Sequence, residues 1–133
     1  MPNSPDISPV TSLSSGQWIQ LVWDCSFNAL SVIEDKTPQQ LLSDPKNRAS
    51  LVRLMSETIR AGAREGVSFP DNLINYNLKS FYADQAKPSM LLAYKNGLPV
   101  EFEAANGYVI KLAEKHNILL AENLRVYNRL KQL

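Results

Sequence analysis

A line of polar side chains runs along an otherwise apolar segment of the sequence. Gln20, Asp24 and Asn28 recur at every fourth position between Trp18 and Ile33. Residues four apart lie on one face of a helix, so an amide, a carboxylate and a second amide are predicted to form one hydrogen-bonding surface. Such a surface is either a wall of a ligand site or a buried polar seam, hydrogen-bonded within a helical bundle or across a dimer.

The sequence offers few other groups for catalysis or metal binding. Cys25 is the single cysteine and His116 the single histidine, which excludes a disulfide framework, a thiolate zinc site and a multi-histidine metal centre. We interpret Cys25 as a small buried hydrophobic residue and His116 as a structural or surface residue near a helix end. The five glycines lie at positions 16, 62, 66, 97 and 107, so they form neither a dinucleotide-binding fingerprint nor a phosphate-binding loop. We therefore predict that this chain alone binds neither a metal nor a redox cofactor.

Composition gives the class of protein but no partner. Hydrophobic residues make up 44% and charged residues 20%, as in ordinary globular proteins. The formal net charge of +1 is too balanced for a nucleic-acid-binding surface. No apolar run is long enough to span a membrane, and no lysine or arginine precedes Lys36 to begin a signal peptide. We expect a cytoplasmic protein without a nucleic-acid or membrane partner, whose C-terminal cations form a solvated face: Lys111, Lys115, Arg125, Arg129 and Lys131.

Helix signals dominate after the first sixteen residues. Residues 1–16 are rich in proline and serine and are predicted to be a flexible lead-in or linker remnant, followed by one domain over residues 17–133. Thr37 and Asp44, each followed by proline, predict two helix starts. Gly66 predicts the end of the second of these helices in the left-handed conformation.

Further helices are predicted in the second half of the chain. They cover about residues 71–84, 89–94 and 99–117, the last of them beginning at Pro99. A final amphipathic helix is predicted to pack through Leu124, Tyr127, Leu130 and Leu133. Because no segment shows the alternating pattern of a strand, we predict an all-α domain of about six helices.

Two more polar residues lie near predicted helix starts. Ser89 follows Lys87-Pro88 and suits the capping position of a helix. Glu101 would lie in the first turn of the helix that Pro99 begins, where the helix dipole favours a carboxylate. For both residues the alternative to this structural role is contact with a ligand.

The order of these motifs resembles the C-terminal domain of the ketopantoate reductase (2-dehydropantoate 2-reductase) family. The segment Trp18–Ser31 is similar to the opening helix of that domain, and Leu41–Pro45 is similar to its leucine-leucine-x-aspartate-proline turn. The more specific similarities are Ser89-Met90-Leu91, Glu101, Asn106-Gly107 and Glu114-Lys115-His116. The resemblance covers roughly residues 17–133 and implies a multi-helix bundle of the ketopantoate reductase and 6-phosphogluconate dehydrogenase C-terminal type.

What the resemblance implies is one half of a two-domain, NADPH-dependent oxidoreductase. In the family, an N-terminal Rossmann domain holds the nucleotide, and the helical domain closes over a 2-oxo acid and often mediates dimerisation. A lysine on the opening helix protonates the new alkoxide, while two asparagines, a serine and a glutamate position substrate and cofactor. By this resemblance Asn28, Ser89 and Glu101 stand at the second asparagine, the serine and the glutamate, and Asp24 stands at the first asparagine.

Two positions depart from the family pattern. Gln20 stands where the family has its lysine, and a glutamine amide cannot release a proton, so a general-acid contribution of about 10²–10⁴ in rate is lost. Asp24 places a negative charge beside an anionic 2-oxo acid. We therefore expect a substrate-binding and dimerisation domain that is inactive alone, with NADPH bound only if a missing or separate Rossmann domain is supplied. The alternative is a non-catalytic homodimeric interaction module, and in both cases the apolar surface of Trp18–Ile33 predicts a homodimer.

Overall fold

The computed structural model describes residues 13–80 and 88–133. These residues form helices and connecting turns, with no β-strand among them, which confirms the all-α prediction. The predicted lead-in over residues 1–12 and the end of the predicted helix 71–84 lie outside the described residues. The α-helices are α1 Ser15–Trp23, α2 Ala29–Glu34, α3 Pro38–Ser43, α4 Pro45–Arg64, α5 Leu73–Ser80, α6 Ser89–Lys95, α7 Tyr108–Lys115 and α8 Ala121–Lys131.

The first helix starts two residues before the predicted domain boundary. Ser14 caps it through a capping box, in which the Gln17 amide N–H donates to Ser14 Oγ at 3.1 Å and the Gln17 side chain accepts from the Ser14 N–H at 2.8 Å. This box fixes the first turn of α1. Ser15 and Gly16, which the sequence assigned to the lead-in, are therefore helical.

Helices α3 and α4 begin where their capping residues predicted. Thr37 and Gln40 form a second capping box at α3, and Asp44 accepts from the amide of Lys46 at 2.9 Å at the start of α4. Gly66 adopts a φ of +85° just after the end of α4, as expected of a helix terminator. These local signals set the positions of two elements without help from the rest of the chain.

Two π-helical turns carry the polar residues of the fold. Asp24–Asn28 joins α1 to α2, and Glu103–Gly107 leads into α7. In the first turn the Ala29 amide donates to the Asp24 carbonyl, five residues earlier, which is the hydrogen-bonding pattern of a π-bulge. The two helices therefore run on as one continuous rod with an extra residue in its middle.

The rod formed by α1, its π-turn and α2 lies at the centre of the domain. It packs against the long helix α4 on one side and against α6 and α8 on others. Trp18, Val22 and Phe27 are at most 2% exposed, within the core of this single chain. The apolar residues that predicted a homodimer through Trp18–Ile33 are thus largely covered by the chain's own helices, because a rod that is apolar all round needs several neighbours.

The prediction that a helix begins at Pro99 is wrong. The chain is non-helical from Leu98 to Phe102, and the helical path resumes at Glu103. Val100 and Phe102 pack against the core from this segment, so tertiary packing overrides the local helix signal of the proline. Glu101 consequently lies in a connecting segment rather than in the first turn of a helix.

The last helix buries only part of the predicted face, with Leu130 buried as expected. Leu124 and Leu133 are exposed, whereas Asn123, Val126 and Leu130 are buried. Polar contacts with α4, described below, hold Asn123 in the interior. The most apolar face of the helix therefore does not point toward the core. Hydrophobic spacing alone did not predict a buried asparagine.

Candidate functional site

The predicted polar line is intact and joined by hydrogen bonds. Asp24 Oδ1 accepts from Gln20 Nε2 at 3.0 Å and from Asn28 Nδ2 at 2.8 Å. The line runs from an exposed Gln20 to a buried Asn28. One carboxylate oxygen therefore orients both amides and holds the line in a fixed arrangement.

Asn28 extends the line to a second helix. Its Oδ1 accepts from the Met90 amide at 2.9 Å, and its side chain lies 3.3–3.4 Å from Ser89 Oγ. The capping position of α6 belongs to Pro88, which has no side-chain hydrogen bond of its own. The prediction that Ser89 caps α6 is wrong, because Asn28, sixty-two residues from Met90, satisfies a free N–H at that helix start.

These residues open onto one cleft, with a volume of about 360 Å³. Glu101 reaches it from the segment before the second π-turn, although it is remote from Asp24 in sequence. Gln20 is not a lining residue and contacts the cleft through its hydrogen bond to Asp24. The lining residues are Asp24, Asn28, Ser89, Met90, Ala93, Pro99, Glu101, Ala104 and Ala105.

The chemical character of the cleft follows from this lining. The described residues that line it present two carboxyl groups, from Asp24 and Glu101, one amide and one hydroxyl, over a floor of apolar side chains, and none of these residues is a lysine, arginine or histidine. The structure thus brings four of the five predicted site residues to one surface and attaches the fifth, Gln20, at its edge. These described residues can bind a polar ligand through hydrogen bonds.

The single cysteine is not available as a nucleophile. Cys25 is fully buried, and this burial raises the pKa of its thiol despite a hydrogen bond with Thr58. A thiol held in its neutral form is a poor nucleophile. The interpretation of Cys25 as a buried hydrophobic residue is confirmed.

His116 forms part of a charged contact away from the cleft. Its Nε2 lies 2.5 Å from Glu65 Oε2, and Lys115 Nζ lies 3.2 Å from the same oxygen. The hydrogen bond with His116 and the charge of Lys115 lower the pKa of Glu65. These contacts join the end of α7 to the end of α4, so His116 has a structural role, as predicted.

A second polar network, which the sequence analysis missed, lies inside the fold. Asn106 Nδ2 donates to the Cys25 carbonyl at 3.1 Å and to Asn123 Oδ1 at 2.9 Å, so it ties the two π-turns to α8. Glu57 then accepts from the backbone amides of Glu122 and Asn123, each at 2.9 Å. A carboxylate from α4 thereby caps α8, whose own capping residue, Leu120, has no side chain able to do so.

The one sequence signal of this inner network is the Asn106-Gly107 pair within a helical segment. A Cβ on Gly107 would lie 2.7 Å from the Glu103 carboxylate and 3.2 Å from the Tyr127 ring. The close packing expected there from the sequence is confirmed. The partners Glu57 and Asn123 carry no comparable local signal, since their contacts span more than sixty residues.

Other features of the described residues add no second reactive site. In residues 13–80 and 88–133, no three histidine, cysteine, aspartate or glutamate side chains are placed to hold a metal ion. Within the same residues, no helix is both long and apolar enough to cross a membrane. Among the C-terminal cations, Lys115 pairs with Glu65 and Arg125 pairs with Glu122.

The fold and the position of the cleft define the class of protein. A family model described as "Ketopantoate reductase PanE/ApbA C terminal" matches residues 12–133. The chain therefore belongs to the family of ketopantoate reductase C-terminal domains, as the sequence motifs predicted.

Individual relatives give the same result. A 2-dehydropantoate 2-reductase from a Nostoc species is 32% identical over 131 residues, which is 96% of this chain but 40% of the relative. The solved structure of the 2-dehydropantoate 2-reductase from Methylococcus capsulatus is 25% identical, with a TM-score of 0.82 over 89% of this chain and 38% of that one. A dimeric ketopantoate reductase from Staphylococcus aureus has a TM-score of 0.80 at 21% identity, covering 89% of this chain and 42% of its own. The chain spans about two fifths of the length of these relatives.

Proposed function

We propose that this chain is the substrate-facing half of a reductase-type protein, whose cleft binds a polar ligand but supplies no proton donor. The observation that carries the proposal is the shared cleft of Asp24, Asn28, Ser89 and Glu101, assembled from three separate parts of the chain. A purely structural seam would be closed on all sides. Here Ser89 and Glu101 are exposed and face open space.

The described residues do not fit a dinucleotide on their own. A nicotinamide dinucleotide is typically held by a glycine-rich turn between a strand and a helix. The described residues form no strand, and their glycines are scattered among the helices and their ends. We propose that NADPH, which the family implies, is held by a domain outside these residues.

Gln20 sets the limit on the chemistry of the cleft. Reduction of a ketone leaves an alkoxide that must be protonated, and an amide cannot act as the acid at neutral pH. Gln20 donates its amide hydrogen to Asp24 instead, so it orients the carboxylate of Asp24. The chain is therefore expected to be inactive alone and slow even beside a nucleotide-binding domain.

The test is a fusion in which the N-terminal part of the Nostoc relative, which this chain does not span, precedes residue 12. NADPH oxidation with ketopantoate is measured for the fusion and for its Gln20→Lys and Gln20→Met variants. We expect Gln20→Lys to raise kcat by about 10² or more, because it restores a general acid, and Gln20→Met to give no such gain. A wild-type fusion as fast as Gln20→Lys would contradict the role given to Gln20. No turnover by any of the three would contradict the reductase-type assignment.

The second candidate is a non-catalytic homodimeric module. It is favoured by the replacements at Gln20 and Asp24 and by exposed apolar side chains on and just after α6, namely Leu92, Tyr94 and Leu98. Sedimentation equilibrium at micromolar concentration tests whether this surface forms a dimer. A mass of twice 14.9 kDa that returns to the monomer value in Leu98→Asp would support the module, and a monomeric wild-type chain would exclude it.

A further inference from the structure

We propose that a groove between α4 and α8 binds a phosphate dianion, either free or as the phosphate group of a small molecule. This α4–α8 groove has a volume of about 370 Å³, within the range of about 300–1,000 Å³ that is typical of pockets for small molecules. Its lining residues are Glu34, Asp44, Lys46, Asn47, Ser50, Arg53, Arg125 and Arg129.

The groove is separate from the cleft and does not depend on the function proposed for it. Glu34, the last residue of α2, lines the groove. Asn28, just before the start of α2, lines the cleft and contacts Met90. The two surfaces thus lie at opposite ends of one helix and can be tested separately.

Four of the eight lining residues are cations, and they come from two helices. Lys46 and Arg53 are seven residues apart on α4, and Arg125 and Arg129 are four apart on α8, so each pair lies on one face of its helix. All four residues are exposed. The formal net charge of +1 for the whole chain therefore conceals a local concentration of positive charge.

The cations of the groove already hold one oxyanion that belongs to the chain itself. The buried Glu122 accepts from Arg125 Nη2 at 2.6 Å and from Ser50 Oγ at 2.5 Å, and its other carboxylate oxygen lies 3.4 Å from Arg53 Nε. A guanidinium group has five N–H donors. Both arginines therefore keep donors for a second oxyanion after their contacts with Glu122.

The other two cations are not neutralised. Lys46 and Arg129 form no ion pair with a described residue. Of the carboxyl groups in the lining, Asp44 is engaged by Lys36 Nζ at 3.4 Å and by the Lys46 amide at 2.9 Å.

The charges of the lining match a phosphate in magnitude. Four cations and two carboxyl groups leave an excess of two positive charges among the described lining residues. The charges of Glu122 and Lys36, which contact lining residues, cancel each other. A phosphate monoester carries about −1.5 to −2 at neutral pH, so it would balance this excess.

A buried amide gives an independent indication of a ligand. Asn47 lines the groove and is 7% exposed. Its Nδ2 makes a single hydrogen bond, at 3.5 Å to Asp44, and its Oδ1 has no partner among the described residues. Because buried amides are normally satisfied, Asn47 has capacity for a bound molecule. Its N–H groups suit a phosphate oxygen, and its Oδ1 suits a hydroxyl group of the same ligand.

The test uses three probes: inorganic phosphate, glycerol 3-phosphate and glycerol. Each is titrated at pH 7 into the isotope-labelled chain, at an ionic strength held constant with sodium chloride, and backbone amide shifts are followed by NMR. We expect both phosphates, but not glycerol, to shift the amides of Ser50, Arg125 and Arg129 and to leave that of Asn28 in place. Tighter binding of glycerol 3-phosphate identifies a phosphate ester as the ligand, and equal binding identifies free phosphate.

Three variants identify the groups responsible. Lys46→Gln and Arg129→Gln each remove an exposed, unpaired cation, and each should weaken phosphate binding about two- to fivefold, the range that an exposed ion pair supports. Arg48→Gln is the matched control, because it removes one positive charge from an exposed position of α4 that is not a lining residue. It should leave the affinity for phosphate unchanged.

Three results would overturn the proposal. Shifts at Ser50 and Arg125 that are no larger with phosphate than with added chloride would show that the groove does not bind it. Equal weakening by Arg48→Gln and Arg129→Gln would show a general attraction of charge rather than a site. Shifts centred on Asn28 would place the phosphate in the cleft.

Discussion

The fold contains two polar networks that differ in what they leave open. In the inner network, Asn106, Asn123 and Glu57 bind one another and backbone atoms, and of their buried side-chain atoms Asn106 Oδ1 alone has no hydrogen-bond partner among the described residues. In the cleft network, Asp24 and Asn28 are similarly joined, but carboxylate oxygens face a cavity. The inner network uses polar groups to fix helices relative to one another, whereas the cleft network holds groups ready for a partner outside the chain.

The difference predicts unequal effects of mutation. Removing a group from a closed, buried network takes hydrogen bonds away from its partners, and this lowers the folding stability strongly. Removing a group from the open network exposes its partners to water, which replaces the lost contact. The following changes are ordered by the loss of folding stability that this contrast predicts.

The largest loss is expected for Asn123→Ala. The change removes the hydrogen bonds that the Asn123 side chain makes with Asn106 and Glu57 at a fully buried position, and a destabilisation of about 2–4 kcal/mol is expected. Urea unfolding followed by circular dichroism measures it. Asn128→Ala, on an exposed position of the same helix, is the matched control and should stay within about 0.5 kcal/mol of the wild type.

A second, pH-dependent loss is expected for Glu122→Gln. Burial opposes ionisation of Glu122, yet hydrogen bonds from Arg125 and Ser50 and the charges of Arg125 and Arg53 lower its pKa to about 2 from an ordinary 4.5. A carboxyl group with a lowered pKa stabilises the folded state above pH 4.5, and this contribution is lost as the pH falls toward 2.

For Glu122→Gln we therefore expect a loss of about 1–3 kcal/mol at pH 7, measured by urea unfolding. The difference from the wild type should shrink as the pH is lowered from 5 to 2. A difference that is constant over this range would show that Glu122 acts through packing and not through its charge.

An intermediate loss is expected for Asn28→Ala, because Asn28 belongs to both kinds of network. It supplies the acceptor for Met90 N at the start of α6 and also lines the cleft. Loss of a cap costs about 1 kcal/mol, and hydrogen exchange of the Met90 amide should accelerate relative to amides within α4. Unchanged protection at Met90 would place Asn28 wholly in the cleft network.

The sequence predicts those features of the fold and the cleft that depend on residues close together in the chain or on the order of motifs. The starts of α3 and α4 and the end at Gly66 follow from capping residues and glycine, whose preferences act over a few residues. The line Gln20, Asp24 and Asn28 follows from helical spacing alone, and the residues Ser89 and Glu101 follow from family resemblance. These features depend on neighbouring residues or on the order of motifs, so the sequence alone is enough to predict them.

The rest depends on packing between distant residues. Pro99 is a good helix start by local rules, yet Val100 and Phe102 draw that segment into a non-helical path. Nothing near Leu120 shows that Glu57 caps α8. The apolar surface of the rod is covered largely by the chain's own α4, α6 and α8, and the spacing within the rod does not predict which helices these are. In each case the deciding contact lies far away in sequence.

The measurement that tests the contrast most directly is the unfolding free energy of Asp24→Ala. We expect a value within about 1 kcal/mol of the wild type or slightly above it, since Asp24 is half-buried and its loss removes one of the two carboxyl groups among the described residues that line the cleft. A loss of 2 kcal/mol or more, comparable with that expected of Asn123→Ala, would show that the polar line is a structural seam and contradict the ligand cleft.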